Sequence, residues 1–316
     1  MLRRTSLALC LIAGMASAQG SPPTFWANEW PDTDFTNTSI ADWSEIRSGG
    51  PPKDGIPALT DPAMIPVGGA DLDPREPVIA LGAQAFPVRY LMWHEIANAT
   101  VGGTPVAVTF CPLCNTGIVF DRRVEGRVLE FGVSGQLRNS DMVMYDRQTE
   151  SWWQQATGEG IVGDLTGTRL TMLPALMQGW ATFAEAHPEG QVMAEPDARR
   201  QYGANPYRGY DTAFRPFLYD GEAPPHGIDP LARVVRVGER AWPLERLRQA
   251  GRIEEAGLVL EWSEGQASAL DTPEIAEGRE VGDVRVTRGG APAVFDIPFA
   301  FAFHAFHPDG EWMVDG

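Results

Sequence analysis

One pattern of two strands, a turn and a helix start occurs twice in this 316-residue chain. The segment VIALGAQAFPVRYL at 78–91 aligns without a gap with VVRVGERAWPLERL at 234–247. Each copy has a glycine at the same place, Gly82 or Gly238, and a proline five residues later, Pro87 or Pro243. Glycine accepts the backbone of a tight turn and proline suits the first turn of a helix. Each copy therefore predicts a hairpin followed by a helix.

A second match supports the same plan further along the chain. The segment WATFAEAHPEGQVM at 180–193 aligns with AFAFHAFHPDGEWM at 300–313, and in both an apolar run stops at His-Pro, where a helix cannot easily continue. Two matches in the same order indicate an internal duplication. Strand signals outnumber helix signals throughout, so we expect a β-rich α+β fold of two related halves, with mostly antiparallel strands and a few short helices.

The first 18 residues have the pattern of a signal peptide. Arg3 and Arg4 precede an apolar run at 7–13, and the small residues at 16–18 form a cleavage site. We expect cleavage near Ala18 and an exported protein, periplasmic or secreted. No later run reaches the roughly 18 apolar residues that a spanning helix needs, so stable membrane insertion is not expected.

The remaining chain divides by composition. Residues 19–75 are rich in Pro and Gly and predict an extended arm, pinned to the surface by burial of Trp26, Trp30 and Trp43. Three further parts follow: a first β-rich repeat at 76–195, an irregular crossing segment at 196–230 and a second, shorter repeat at 231–316. Within the first repeat, we expect a hairpin of 116–121 with 127–133 through Glu125-Gly126, and a meander of 142–146 with 151–155.

The charge excludes one class of partner. With 25 basic and 42 acidic side chains the net charge is −17, so a nucleic acid would meet a field of its own sign. A small ligand or a metal ion fits this charge better. The charge does not indicate an oligomeric state.

Both cysteines that remain after signal cleavage lie in one motif, Cys111-Pro-Leu-Cys114. As a structural disulfide it would stabilise the fold only weakly, since closure of a four-residue ring contributes only about 2 kcal/mol to the free energy of unfolding. As a thiol–disulfide pair it would bring an attacking and a resolving sulfur together. The following Thr116-Gly-Ile-Val-Phe120 looks extended, however, and a helix start would be needed to lower the thiol pKa as in thioredoxin.

A soft-metal site is the third interpretation of this motif. Two thiolates at this spacing bind one ion, and copper(I) or zinc accepts them, with copper favoured only because methionine is available. The missing ligands are then His94, the pair Met142 and Met144, or the pair His304 and His307. The methionines share one face of a strand, and the two histidines share one face of a helix.

Polar side chains are dense on the strand-like sequence between 131 and 155, and we expect them to line a pocket near the thiols. Trp152 and Trp153 would place one ring in the core and the other on the pocket wall. The predicted binding residues are Ser134, Asn139, Asp141, Asp146, Ser151, Trp152 and Gln154.

Three quoted segments resemble a known family. WHEIAN at 93–98, VAVTFCPLCNTGIVFDR at 106–122 and FGVSGQLRNSDMVMYDRQTESWWQQATGEGIVG at 131–163 are similar, in this order, to the bacterial family called domain of unknown function 3179. The resemblance covers roughly 76–316. It implies a bacterial, often exported protein and assigns no activity and no catalytic residue.

We therefore expect an exported metal-binding protein (copper or zinc) or thiol-redox protein centred on Cys111 and Cys114. Whether it is an enzyme stays open. The alternative is an interaction or ligand-binding module in which the two cysteines form an inert bridge. Its ligand would lie among Trp152, Trp153 and the Tyr/Arg-rich segment 202–219.

Overall fold

The computed structural model describes residues 20–315, so the predicted signal peptide at 1–18 lies outside the described residues. Within 20–315 there are 24 strands and five α-helices, none of the helices longer than seven residues. The prediction of a β-rich fold with few short helices is confirmed. Among these residues no helix is both long enough and apolar enough to span a bilayer.

The strands are, in chain order, β1 (Ile46–Ser48), β2 (Leu59–Thr60), β3 (Met64–Pro66), β4 (Pro77–Leu81), β5 (Gln84–Pro87), β6 (Ile96–Val101), β7 (Thr104–Cys111), β8 (Thr116–Asp121), β9 (Arg123–Val124), β10 (Arg127–Val128), β11 (Phe131–Arg138), β12 (Asp141–Asp146), β13 (Trp152–Gln154), β14 (Glu159–Val162), β15 (Thr171–Leu173), β16 (Leu176–Gly179), β17 (Gln191–Met193), β18 (Val234–Val237), β19 (Arg240–Pro243), β20 (Arg252–Glu255), β21 (Leu258–Ser263), β22 (Asp283–Arg288), β23 (Ala291–Pro292) and β24 (Glu311–Trp312). The α-helices are α1 (Trp26–Glu29), α2 (Val88–His94), α3 (Trp180–Ala186), α4 (Leu244–Ala250) and α5 (Ala300–Phe306). Short 3-10 helices lie at Trp43–Glu45, Val67–Gly69, Tyr210–Thr212, Pro225–Gly227 and Ile275–Glu277.

Five sheets form a propeller-like ring. Sheet 1 is β1-β11-β12-β13-β14, sheet 2 is β15-β8-β7-β6-β2, sheet 3 is β16-β4-β5-β17-β3, sheet 4 is β20-β21-β22-β23 and sheet 5 is β18-β19-β24. Most pairings are antiparallel, as predicted; the parallel ones among the described strands are β2–β6, β5–β17 and β19–β24.

Buried apolar clusters join neighbouring sheets. Phe120 of sheet 2 and Phe131 of sheet 1 belong to one cluster, and this cluster also contains both cysteines. Val235 of sheet 5 and Leu260 of sheet 4 belong to another. Removal of such side chains from water is the main stabilising contribution, on the order of 1.5–3 kcal/mol for each fully buried large residue. The cysteine loop is therefore part of the hydrophobic core and is not exposed on the surface.

The two segments that match in sequence also match in arrangement. The unit β4–β5–α2 corresponds to β18–β19–α4, and each adds a parallel third strand, with Gln191 paired to Gln84 in one and Glu311 paired to Arg240 in the other. Helices α3 and α5 both end at a histidine of the His-Pro step. Three antiparallel strands follow the helix in each case, β6–β7–β8 and β20–β21–β22.

One predicted hairpin is wrong. Strand β8 pairs with β7 and β15, while β11 pairs with β12 and β1. The Glu125-Gly126 turn exists, but it joins only the two-residue strands β9 and β10. Leu129 is fully buried directly after β10, so the chain turns inward and begins a new strand in the next sheet. The meander of β12 with β13 is confirmed.

The N-terminal arm is fastened as predicted by its tryptophans. Trp26, Trp30 and Trp43 are all buried and pack with Trp152 in one cluster. The arm also adds β1 to the edge of sheet 1.

Candidate metal centre

The cysteine loop is the tight turn between β7 and β8. Cys111 is the last residue of β7, and the backbone N–H of Cys114 donates to its carbonyl at 3.3 Å. Asn115 follows with a φ of 55°, which turns the chain into β8. Because a strand follows the loop, the cysteine motif does not itself begin a helix, in contrast to thioredoxin.

The loop brings its two thiols to the carboxyl group of Asp141 at the start of β12. One ligand atom from each of Cys111, Cys114 and Asp141 lies within 4.8 Å of the other two. All three residues are buried, and both cysteines are free thiols. The structure therefore contains no bridge at this loop, which removes support from the alternative that required one.

Hydrogen bonds fix Asp141 from sheet 1. Its Oδ2 accepts from the side-chain Nε2 of Gln154 at 2.7 Å and from the backbone N–H of Ala156 at 2.8 Å. The hydroxyl of Thr116 lies 3.5 Å from Oδ1. Oε1 of Gln154 is buried and has no hydrogen-bond partner among the described residues. An unpaired buried oxygen is costly, and it lies on the amide that orients Asp141.

Burial raises the pKa of every acidic group in this cluster. Desolvation is the first cause for each: it raises the pKa of Asp141 to about 6, that of Glu95 to about 8, and those of Cys111 and Cys114 above the usual thiol range. The negative charges of Glu95 and Asp141 raise the pKa of the Cys111 thiol further. No basic side chain is among the main causes of these four shifts. Burial therefore governs the pKa values of the two thiols, Asp141 and Glu95.

Glu95 is the member that sequence reasoning missed. It caps the C-terminus of α2 with a φ of 57°, the left-handed region that favours glycine, and its counterpart in the second hairpin–helix unit is Gly251 with a φ of 69°. A non-glycine residue held there is strained, and such strain concentrates at functional sites. The sequence contains a signal for this position: when the repeat alignment is continued past residue 91, Glu95 lies opposite Gly251.

His94 is not brought to the thiols. Its Nδ1 lies 2.7 Å from the carbonyl oxygen of Pro57, and its Nε2 lies 2.7 Å from the hydroxyl of Tyr202. Burial lowers the pKa of His94, so the ring is neutral at pH 7. Both nitrogens are engaged away from the cluster, because the backbone reversal at Glu95 sends the two neighbouring side chains in different directions.

The other predicted ligands lie in different parts of the structure. Met142 and Met144 are buried in the same apolar cluster as the two cysteines, where they pack as core residues. His307 contacts the carboxylate of Glu239 with its Nδ1 at 2.8 Å, and Nδ1 of His304 is buried without a hydrogen-bond partner within residues 20–315. Neither histidine belongs to the group around Asp141.

Of the seven predicted binding residues, Asp141 and Gln154 belong to the cluster. The others have contacts elsewhere. The Ser134 hydroxyl donates to the Val143 carbonyl, and the Ser151 hydroxyl accepts from the Leu165 N–H. Asp146 accepts from the backbone N–H of Thr149 and from the indole N–H of Trp153. Asn139 lies in a left-handed turn beside a surface cleft, and both Trp152 and Trp153 are fully buried, so neither forms a pocket wall.

The crossing segment covers the cysteine loop. The Tyr210 hydroxyl donates to the carbonyl of Leu113 at 3.0 Å and accepts from the backbone N–H of Phe217 at 3.2 Å. The Ser140 hydroxyl donates to the carbonyl of Phe217 at 2.5 Å. The bonds from Tyr210 to Leu113 and from Ser140 to Phe217 attach the segment to the loop and to the turn before Asp141, while the bond between Phe217 and Tyr210 lies within the segment.

These observations define a β-rich, propeller-like protein with a buried dithiol–carboxyl cluster beneath a crossing segment. The chain belongs to the family described as "Protein of unknown function (DUF3179)", whose model matches residues 53–310. The match includes part of the N-terminal arm, which the sequence resemblance had left outside. No curated protein and no solved structure matches the chain.

Proposed function

We propose that this is an exported metal-binding protein that holds one zinc-type divalent ion through Cys111, Cys114 and Asp141. The observation that carries the proposal is the approach of their three ligand atoms to within 4.8 Å of one another. Thiolate and carboxylate ligands are both common on zinc, which takes four ligands in a tetrahedron. The unpartnered Oε1 of Gln154, or a water, is suited to the fourth position.

The charge of the cluster supports a cation. Four acids are buried together, and their mutual repulsion and desolvation favour the protonated forms. A bound divalent ion would replace protons on the two thiols and Asp141 and would neutralise much of the charge. This supports metal binding over an apolar packing role for the loop.

The carboxylate favours zinc over copper(I). Copper(I) selects soft sulfur ligands, whereas zinc accepts sulfur and oxygen together. Met142 and Met144 are thioethers of the kind that copper would use, and they are core residues beside the loop. Copper bound through Met142 and Met144 instead of Asp141 is the competing outcome of the experiment below.

Thiol–disulfide exchange is less well supported. The attacking species in exchange is the thiolate, and burial raises the pKa of both Cys111 and Cys114. Both sulfurs are also almost inaccessible to a partner.

Metal content of the purified protein tests the proposal. We expect one equivalent of zinc per chain by elemental analysis, lost in Cys111→Ser and in Asp141→Asn. Asp146→Asn is the matched control, because Asp146 is a buried carboxylate at the other end of β12 that bonds only to Thr149, Gln148 and Trp153. If the protein binds copper that is retained in Asp141→Asn but lost in Met142→Leu, copper replaces zinc in the proposal. A metal content no higher than that of Cys111→Ser would contradict the proposal.

We also propose that the site operates outside the cytoplasm, after cleavage of residues 1–18. Arg3, Arg4, the apolar run at 7–13 and the small residues at 16–18 support this. Intact-mass measurement of protein from a periplasmic extract should give a chain that begins at Gln19. A full-length chain in the cytoplasmic fraction would contradict export.

We further propose that the two halves derive from one duplicated unit. The shared order of hairpin, helix and three strands supports it. The pairing of Gly179 with Pro77 between β16 and β4 also has an equivalent in the second half, where Phe299 forms a bridge with Arg233. In an experimental structure, β17 and β24 should both pair in parallel with the second hairpin strand at equivalent residues. A different register for β24 would contradict the duplication.

A further inference from the structure

A cavity of about 280 Å³ lies between the N-terminal arm, α2 and the crossing segment. Three separate parts of the chain build it, so it is not the inside of a single loop. Its lining residues are Gly55, Ile56, Pro57, Met92, Trp93, Arg200, Pro206 and Tyr207. Apolar and polar surface line it in nearly equal parts, and Arg200 is the one charged side chain among the lining residues.

Two side chains that line the cavity, Trp93 and Arg200, carry donors that have no acceptor among the described residues. Nε1 of Trp93 is buried and has no hydrogen-bond partner among the described residues. The Arg200 guanidinium lies over the Trp93 ring, with its Cζ 4.9 Å from the ring centroid. Within residues 20–315 the Arg200 side chain forms no ion pair, because nearby Asp197 is held by Arg199 instead.

An unpaired indole N–H beside a guanidinium in a partly apolar cavity matches an oxyanion. A guanidinium binds carboxylate oxygens through several N–H groups, and a buried donor gains most from a charged acceptor. Ile56, Met92 and Pro206 offer apolar contact for the rest of such a ligand. We propose that the cavity binds a small organic carboxylate, with the carboxylate on Arg200 and Trp93 and the apolar body against Ile56 and Met92.

A carboxylate fits better than a phosphate monoester. One cation lines the cavity, and the protein as a whole carries −17. A second negative charge on the ligand would meet no second cation and would be repelled by this field.

The cavity and the thiol cluster share Tyr207. Its ring lines the cavity and also packs against the apolar cluster that contains Cys111 and Cys114. The carboxylate site itself does not depend on the metal, so it can be tested in protein that has lost the ion.

The test uses 4-fluorobenzoate and its neutral analogue 4-fluorobenzamide, followed by fluorine NMR on the mature protein after treatment with a chelator. We expect the benzoate to bind and the benzamide to bind at least about tenfold more weakly, as expected for loss of a charged hydrogen bond. Arg200→Gln should weaken benzoate binding to a similar extent. Trp93→Phe keeps the ring but removes the N–H, and it should weaken binding as well.

Arg248→Gln is the control, because Arg248 is an exposed arginine on α4 that pairs with Glu245 and does not line the cavity. It should leave benzoate binding unchanged. Equal binding of benzoate and benzamide, or equal loss in Arg248→Gln and Arg200→Gln, would overturn the proposal. Tighter binding of phenyl phosphate than of benzoate would overturn the choice of a carboxylate.

Discussion

Gln154 donates its Nε2–H to Oδ2 of Asp141 across 2.7 Å, while its own Oε1 is buried without a partner. The amide therefore fixes the carboxylate and offers an unused oxygen beside it. Groups that orient a metal ligand typically affect metal affinity by 10- to 100-fold. We expect Gln154→Leu to weaken zinc binding by about this factor, measured by competition with a chromophoric chelator.

Gln155→Leu is the control for that change. Gln155 is equally buried, but its Nε2 donates to the Thr109 hydroxyl and its Oε1 accepts from Thr116. We expect it to lower the free energy of unfolding without a comparable loss of zinc affinity. Equal affinity losses in the two variants would assign the effect to general loosening of the core.

The thiol pair, Asp141 and Gln154 were all predicted from sequence, because each lies on a strand or turn whose pattern is local. His94 and Glu95 show where that reasoning stops. Their positions depend on one left-handed residue at the end of α2, and only the comparison with Gly251 reveals that this residue is unusual. The wrong hairpin has a similar origin, since the inward turn at Leu129 is decided by burial between sheets and not by the local turn signal at Glu125-Gly126.

Glu95 makes the free energy of unfolding of the metal-free protein depend on pH. Burial raises the pKa of Glu95 from 4.5 to about 8, so the native state keeps a proton that the unfolded state loses. Unfolding then releases a proton, and the free energy of unfolding falls as pH rises from about 4.5 to about 8. Asp141, with its pKa raised from 3.8 to about 6, contributes in the same direction at lower pH.

We expect Glu95→Gln to remove the larger part of this decline and to raise the free energy of unfolding at pH 7 by about 2–3 kcal/mol. Urea denaturation between pH 5 and pH 8, with a chelator present, measures the effect. Glutamine preserves the size of the side chain and the backbone strain at this position, so the comparison isolates the charge. Parallel pH curves for the two proteins would show that Glu95 is ionised in the native state.

Trp30 is the main anchor of the N-terminal arm. Its ring lies 4.9 Å from that of Tyr145 and 5.2 Å from that of Trp152, and Nζ of Lys53 lies 4.3 Å from its centroid. Removal of a fully buried tryptophan side chain costs about 3–5 kcal/mol. We expect Trp30→Ala to lower the free energy of unfolding by about this amount in urea denaturation.

Phe25→Ala provides the comparison, since Phe25 lies in the same arm and is 60% exposed. A surface change of this kind usually alters stability by less than about 0.5 kcal/mol. If the two variants were equally stable, the arm would contribute nothing to the core and the burial of Trp30 would have no energetic consequence.

Tyr210 connects the crossing segment to the cysteine loop through the bond of its hydroxyl to the Leu113 carbonyl, and the same hydroxyl accepts from the Phe217 N–H within the segment. Tyr210→Phe removes both bonds while the ring stays packed near Phe299. We expect only about 1 kcal/mol of lost stability, but a several-fold faster release of zinc to excess chelator, because the segment that covers the site opens more often. Tyr219→Phe is the matched variant, since the Tyr219 hydroxyl donates to Glu222 within the crossing segment and should leave the release rate unchanged. Identical release rates in the wild type and Tyr210→Phe would mean that the ion leaves by a path that this segment does not cover.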